Sequence, residues 1–243
     1  MNGARHTGLL HDDGIRAMRV DIRAIAAHAA QVHGLGEVAA RLQADALAAA
    51  ALLSAYLDDT ERLTLQLQLE QPRLALTADV YDSGAIRCRT TPPTPRDAPM
   101  LEGILFVLKS VRGREVYRGI TAVHHDDLGQ VLQDHLHGSD QVPARVRVRD
   151  GIGVFVERLP GQAEDVDLDA VLEEVWNGLE GGEAPLFWQC TCSREKVLTM
   201  LSTLGDEEIQ AMIDEDGGAT VECNFCRTET VLGVPDLQAL LTS

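Results

Sequence analysis

Four of the chain's five cysteines fall in its last quarter. They stand as Cys190-Thr191-Cys192 and, about thirty residues on, Cys223-Asn224-Phe225-Cys226. Two close thiol pairs across a spacer long enough for two short helices have the spacing of metal ligands. Four sulfurs and no obligatory water make a closed tetrahedral site, structural rather than hydrolytic, and such a set favours zinc. An iron–sulfur cluster uses the same ligand type and stands as the alternative. The first pair is C-x-C, narrower than the C-x-x-C of most zinc sites. Bound zinc keeps thiols as thiolates, the form that oxidants attack. Oxidation to disulfides would remove the ligands, and a module that folds on its metal would lose its structure. On spacing alone, such a switch and an inert zinc knuckle stand level.

The elements that must position these thiols are short. Glu195–Leu204 has helical spacing with Ser193 as its cap. Asp206 opens a second helix, Glu207–Asp214, with acids in its first turn as the helix dipole prefers. Gly217-Gly218 stops it, and Ala219–Glu222 leads as a strand into the C-x-x-C turn. Val231-Leu232 suits another strand, and Val234-Pro235-Asp236 starts a last helix through Leu240. So few elements bury little surface, so a metal is the expected source of their stability.

Upstream, residues 1–20 carry little pattern. Asp21–Ala30 and Glu37–Tyr56 are helical, and Leu42, Ala46, Ala49, Leu53 and Leu57 share one face of the second. The period then changes to two. Leu63–Leu69 alternates Leu with Thr or Gln, Leu74–Val80 follows, and Asp82-Ser83-Gly84 turns into Ala85–Thr90, an antiparallel meander. Thr91–Pro99 is a proline-rich loop. Leu101–Lys109 and Val116–Thr121 are further strands joined by a basic turn near Arg112–Arg114. A helix runs through Leu128, Val131, Leu132 and Leu136. Ala144–Arg149 and Ile152–Glu157 flank the hairpin signal Asp150-Gly151. Beyond Pro160-Gly161 the chain turns acidic, and Val171, Leu172, Val175, Trp176 and Leu179 form an amphipathic helix that Gly181-Gly182 ends. Cys88, in a strand, reads as a small buried hydrophobe. His124, His125, His135 and His137 cluster loosely without a convincing ligand set.

Composition narrows the function classes. The chain has 243 residues, 45% apolar and 24% charged, with a net charge of −17. Such acidity repels phosphate backbones, so nucleic acid is not an expected partner. Met1–Gly14 lacks an apolar signal core, and the apolar run Ala44–Leu57 is too short to span a bilayer, so no membrane association and a cytoplasmic location are expected. Thiols there stay reduced, which favours metal or redox chemistry over a disulfide framework. No phosphate-binding glycine loop, dinucleotide fingerprint, nucleophile elbow or H-E-x-x-H occurs, so the chain is not expected to be an enzyme.

The run Cys190-Thr191-Cys192-Ser193-Arg194-Glu195, Leu204-Gly205, Glu215-Asp216-Gly217, Val221-Glu222-Cys223-Asn224-Phe225-Cys226 resembles the zinc domain of the heat-shock protein 33 family. These are redox-regulated holdases also called 33 kDa chaperonins. Leu63–Leu69, Leu101–Val107, Tyr117–Ile120 and Leu159–Gly161 follow the family order more diffusely. The resemblance implies a zinc ion on Cys190, Cys192, Cys223 and Cys226. It implies disulfides Cys190–Cys192 and Cys223–Cys226 on oxidation by peroxide or hypochlorite, with zinc expelled and the linker unfolded. It also implies ATP-independent binding of unfolding clients, and a homodimer when oxidised. This chain lacks the family's Gly-rich turn after Leu69, and its Gly161–Cys190 segment is shorter than the family linker, so it is expected to be a shortened variant, partly active while reduced.

The expected fold is α+β: a sheet-rich N-terminal domain packed with helices (1–160), a helical linker (161–185) and a small four-cysteine zinc-binding domain (186–243). The leading expected function is a redox-regulated holdase. A constitutive zinc-ribbon interaction module and a thiol–disulfide oxidoreductase are its rivals. A catalytic C-x-x-C normally opens a helix in a βαβ setting, whereas Cys223 follows a short strand.

Overall fold

The computed structural model describes residues 1–10, 14–139, 143–160 and 166–241. The chain separates into two compact units, Met1–Gln189 and Cys190–Ser243. The first begins with a hairpin, β1 (Asn2–Leu10) and β2 (Ile15–Asp21), followed by helices α1 (Arg23–His33) and α2 (Glu37–Leu53). Next come β3 (Glu61–Gln71), β4 (Leu74–Tyr81), β5 (Ala85–Thr91), β6 (Leu101–Val111) and β7 (Arg114–His125). Helix α3 (Leu128–Ser139), β8 (Ala144–Arg149), β9 (Ile152–Arg158), α4 (Leu168–Asn177) and β10 (Gly182–Trp188) complete it. The ten strands form one sheet in the order β7-β6-β3-β4-β5-β10-β1-β2-β9-β8. Neighbours are antiparallel except β10 and β5, which run parallel. The class is α+β.

Alternation explains the strands. Leu63, Leu65, Leu67 and Leu69 of β3 are buried on one face, beside Leu74, Leu76, Ala78 and Val80 of β4. On the other face the Thr64 hydroxyl donates to Asp79 (2.6 Å) and the Arg87 Nε donates to the same carboxylate (2.8 Å). Two-residue turns with positive φ close two hairpins: Arg112-Gly113 (48° and 82°) and Asp150-Gly151 (52° and 79°). That is the type I′ geometry that matches strand twist. Helices α1, α2 and α3 share the larger core. Helix α2 is its centre, with Ala46 through Ala51 wholly buried. The stretch Glu37–Tyr56 is long and apolar enough to cross a membrane by length and composition, yet 67% of its apolar 18-residue window is buried. Its apolarity serves the core.

Helix α4 covers the opposite face of the sheet. Leu168, Val171, Leu172 and Val175 pack on Ile15 and Ala17 of β2 and Val154 and Val156 of β9. Phe155, between those two valines, belongs to the larger core, so β9 is buried on both faces. Asp167 caps α4 through the N–H of Asp169 (2.9 Å). Two arginines of β8 reach across to it: Arg145 pairs with Asp169 (2.9 Å), and Arg147 pairs with Glu173 while lying over the Trp176 ring.

Residues 166–185, expected to serve as a linker, thus hold α4 and the start of β10, both built into the first unit. Gly161–Asp165 of that segment lie outside the described residues. The hairpin β1–β2 within residues 1–20, and β10, were not signalled by the sequence pattern. Strand β1 is partly exposed along most of its length and polar, which erases the alternation. The other elements lie where periodicity puts them, with ends shifted by a few residues.

Asp45 of α2 is largely buried, and its Oδ1 has no hydrogen-bond partner. Burial pushes its carboxyl up to about 6, and the Asp150 charge adds to the rise. A folded-state value above the unfolded one favours the protonated form in the fold. The penalty is therefore absent below about pH 4 and complete above about pH 6. Asp45→Asn keeps the side chain's shape and removes the charge. It is expected to stabilise the protein by about 2 kcal/mol at pH 7.5 and to be near neutral at pH 4. Urea unfolding at the two pH values measures this, and equal gains at both would contradict it.

The second unit contains α5 (Arg194–Leu201), α6 (Asp206–Ala211) with a wider turn at Met212–Asp216, β11 (Gly218–Glu222), β12 (Glu229–Gly233) and α7 (Val234–Leu241). β11 and β12 form an antiparallel pair. Leu201, Ile209, Leu232 and Leu237 are its fully buried apolar side chains among the described residues.

Candidate metal centre

Cys190 and Cys192 lie in the extended segment that enters α5. Ser193 has extended backbone there (φ −150°), and its Oγ accepts from the Lys196 N–H (3.3 Å), the cap read from the sequence. The Lys196 ammonium donates to the Thr191 carbonyl, which shapes the loop between the two thiols. Cys223 and Cys226 occupy the turn that joins β11 to β12. The Arg227 N–H bonds the Cys223 carbonyl (2.8 Å) and the Cys223 N–H bonds the Thr228 carbonyl (3.0 Å). Arg227 takes a left-handed φ of 58° to close this knuckle.

These two loops bring all four Sγ atoms within 4.8 Å of one another. Cys190 and Cys223 stand 3.7 Å apart, Cys192 and Cys226 3.3 Å. A tetrahedron with metal–sulfur bonds of about 2.3 Å has edges of about 3.8 Å, so the thiols fit a four-coordinate metal. Acid–base chemistry within the cluster is uneven. Burial pushes the Cys190 thiol up, and Cys192 rises further through burial and the neighbouring thiols. Cys226 is also raised by burial, but hydrogen bonds from Thr228, Cys192 and Cys223 outweigh this and hold it at about 7. Thr228 Oγ1 lies 3.2 Å from its sulfur. A bound cation would lower all four together.

Two contributors escaped the sequence reading. Thr228 could have been noted as the hydroxyl two residues beyond the last cysteine. Arg194 was seen only as a letter of the motif. It donates to the Val231 carbonyl (2.8 Å) and pairs with Asp236 (2.7 Å). The other candidates stand apart from this cluster. Cys88 is fully buried, and burial raises its thiol pKa, in keeping with a packing role. His125 pairs with Asp134 (2.7 Å) and the His135 Nδ1 with Thr121 (2.9 Å). Among the described residues the four cysteines are the only group of at least three ligands that could hold a metal.

A large α+β sheet unit followed by a small unit gathering four thiols defines a two-part protein whose second part could hold a metal ion. The family model described as Hsp33 protein matches residues 4–232. The chain belongs to the Hsp33 family. It is 26% identical to a 33 kDa chaperonin of Shouchella clausii, with 95% of this chain and 94% of that protein covered. It is 27% identical to a 33 kDa chaperonin of Syntrophotalea carbinolica, over 79% of this chain and 82% of that one. The crystal structure of the 33 kDa chaperonin of Thermotoga maritima superposes with a TM-score of 0.80 at 20% identity, covering 98% and 97% of the two chains. The fold is thus shared along the whole length. The match to the Shouchella protein runs over 284 positions against the 243 residues here, so that relative carries positions this chain lacks.

Proposed function

We propose that this protein is a redox-regulated, ATP-independent chaperone that holds unfolding proteins, and that Cys190, Cys192, Cys223 and Cys226 are both its zinc ligands and its switch. The gathering of four Sγ atoms within 4.8 Å carries this reading, and membership of the Hsp33 family supports it. Zinc would supply charge that holds the sulfurs as thiolates and a cross-link that orders the module. Under oxidant, the thiolates of Cys190 and Cys192 give up two electrons and join as a disulfide. Cys223 and Cys226 do the same. Each pair's electrons pass to one peroxide, which takes two protons from solvent and leaves as water. The four sulfurs would then no longer serve as ligands, and the module would lose the cross-link that a bound cation supplies.

The client surface on this reading is the apolar sheet face beneath α4, with Ile15, Ala17, Val154 and Val156. The location is cytoplasmic, the oxidised form dimerises, and neither nucleic acid nor membrane is a partner. On this reading part of the holding activity persists in the reduced, zinc-loaded protein.

One experiment separates the alternatives. Peroxide or hypochlorite is added while zinc release is followed with a chromogenic chelator and aggregation of a heat-denatured client by light scattering. The expected result is zinc release with suppressed scattering, above a smaller suppression already present in the reduced protein. Zinc retention would favour a constitutive interaction module. Turnover of a disulfide substrate would favour an oxidoreductase.

A further inference from the structure

The two cysteine pairs lie on separate pieces of backbone, one leading into α5 and the other at the tip of the β11–β12 hairpin. Arg194 joins those pieces. It is the first residue of α5, two positions after Cys192. Its Nη1 donates to the carbonyl of Val231 in β12 (2.8 Å). Its Nη2 lies 2.7 Å from Asp236 Oδ2 in the first turn of α7. The same carboxylate oxygen accepts the Gly233 N–H (2.9 Å), so it also fixes the β12–α7 junction. One guanidinium therefore spans three elements with bonds that do not involve sulfur. The planar fork of arginine suits this double role, and lysine, a point donor, can satisfy only one partner at a time.

We propose that Arg194 is a positioning residue of the metal centre: it holds the Cys190–Cys192 loop in register with the Cys223–Cys226 turn. This rests on the reading of the four thiols as a metal site. Residues that orient ligands without touching the metal alter affinity by roughly 10- to 100-fold when removed. With the brace in place, the thiols start close to their liganded arrangement, and less ordering remains for the metal to drive. Without it, the two loops are joined by the metal and by the packing of Leu201 with Leu232 and Leu237, which holds the elements together but does not fix the thiol loops themselves. The salt bridge is partly exposed, so its weight lies in geometry rather than in its contribution to overall stability.

The test uses the full reduced chain loaded with zinc or cobalt(II). Arg194→Ala is expected to lower zinc affinity about 30-fold in chelator competition. It should also shift and broaden the ligand-field bands of the cobalt form at saturation, while thiolate charge-transfer intensity still reports four sulfurs. Arg194→Lys should recover part of both effects. Asp236→Asn keeps the acceptor for Gly233, and its effect should be largely absent in the Arg194→Ala background, because the two residues act as one unit. Leu237→Ala is the control. It removes a fully buried core side chain, and is expected to weaken metal binding through folding while leaving the cobalt bands unchanged. Unaltered bands in Arg194→Ala, with an affinity loss no greater than that of Leu237→Ala, would overturn the proposal. So would additive effects of Arg194→Ala and Asp236→Asn. If the unsubstituted chain takes up neither metal, the reading of the thiols as a metal centre fails instead.

Discussion

Chelation of the metal from the reduced protein is expected to unfold the second unit and leave the first folded. The reason lies in the size of the two cores. The first unit closes a ten-stranded sheet around α2 and buries aliphatic side chains from nearly every strand. The second has four fully buried apolar side chains among its described residues, Leu201, Ile209, Leu232 and Leu237. Its helices are eight residues long or less, too short to persist alone in water. A structural zinc site contributes about 10–16 kcal/mol of apparent binding free energy, which becomes folding free energy when the apo form is disordered. Amide exchange followed by mass spectrometry should therefore show residues 218–233 losing protection as chelator is added. Amides of β3, β4 and α2 should keep theirs, and zinc should restore the pattern. Protection of the β11–β12 hairpin that survives complete metal removal would show that the small core suffices, and the unfolding limb of the switch would fall with it.

The second large effect is expected at α4. Val175 is 1% exposed and points into the cluster that α4 forms with β2 and β9. A carboxylate there has no partner, and burying an unpaired charge costs several kcal/mol. Val175→Asp should therefore release the helix. The ion pairs of Arg145 with Asp169 and Arg147 with Glu173 are partly exposed, and exposed pairs are worth too little to hold it. Release uncovers Ile15, Ala17, Val154 and Val156, an apolar strip on strands that stay paired through their backbones. The expected outcome is loss of amide protection over residues 168–177, increased binding of a hydrophobic dye, and several-fold stronger suppression of client aggregation without oxidant. A variant that frees the helix and binds the dye, yet holds no more client than the parent, would move the client surface elsewhere.

Legibility in the sequence followed local physics. The gathering of the four thiols was readable because residue identity and spacing are local properties, and the cap at Ser193 and the turn at Asp150-Gly151 were readable for the same reason. Helix α2 was legible as buried because its apolar residues are too many for one face. Leu57, placed on that face by helical spacing, instead follows the helix, which ends at Leu53. What escaped depends on long-range pairing. β1 bonds to β10 across most of the first unit's sequence, from Asn2↔Phe187 to Thr7↔Gly182. Nothing in Asn2–Leu10 alternates strongly enough to announce it. The segment before the cysteines read as a linker because it is acidic and bounded by glycines. Its helix packs because Val171 and Val175 meet a sheet face whose existence depends on the unseen hairpin. Arg194 escaped for a similar reason, since its partners Val231 and Asp236 lie far along the chain.

Strand β10 sits between β5 and β1 and, among the described residues, joins β7-β6-β3-β4-β5 to β1-β2-β9-β8 within the sheet. Its path passes so close to Gly84 that a Cβ there would meet the Pro185 oxygen at 2.1 Å. During synthesis on the ribosome, both halves of the sheet can be complete while the seam between them still waits for Trp188. That residue stands two positions before Cys190. A nascent chain therefore carries two additional open strand edges, on β5 and β1, until the moment its thiol module starts to emerge. Until β10 is in place, those edges can pair with strands of other chains.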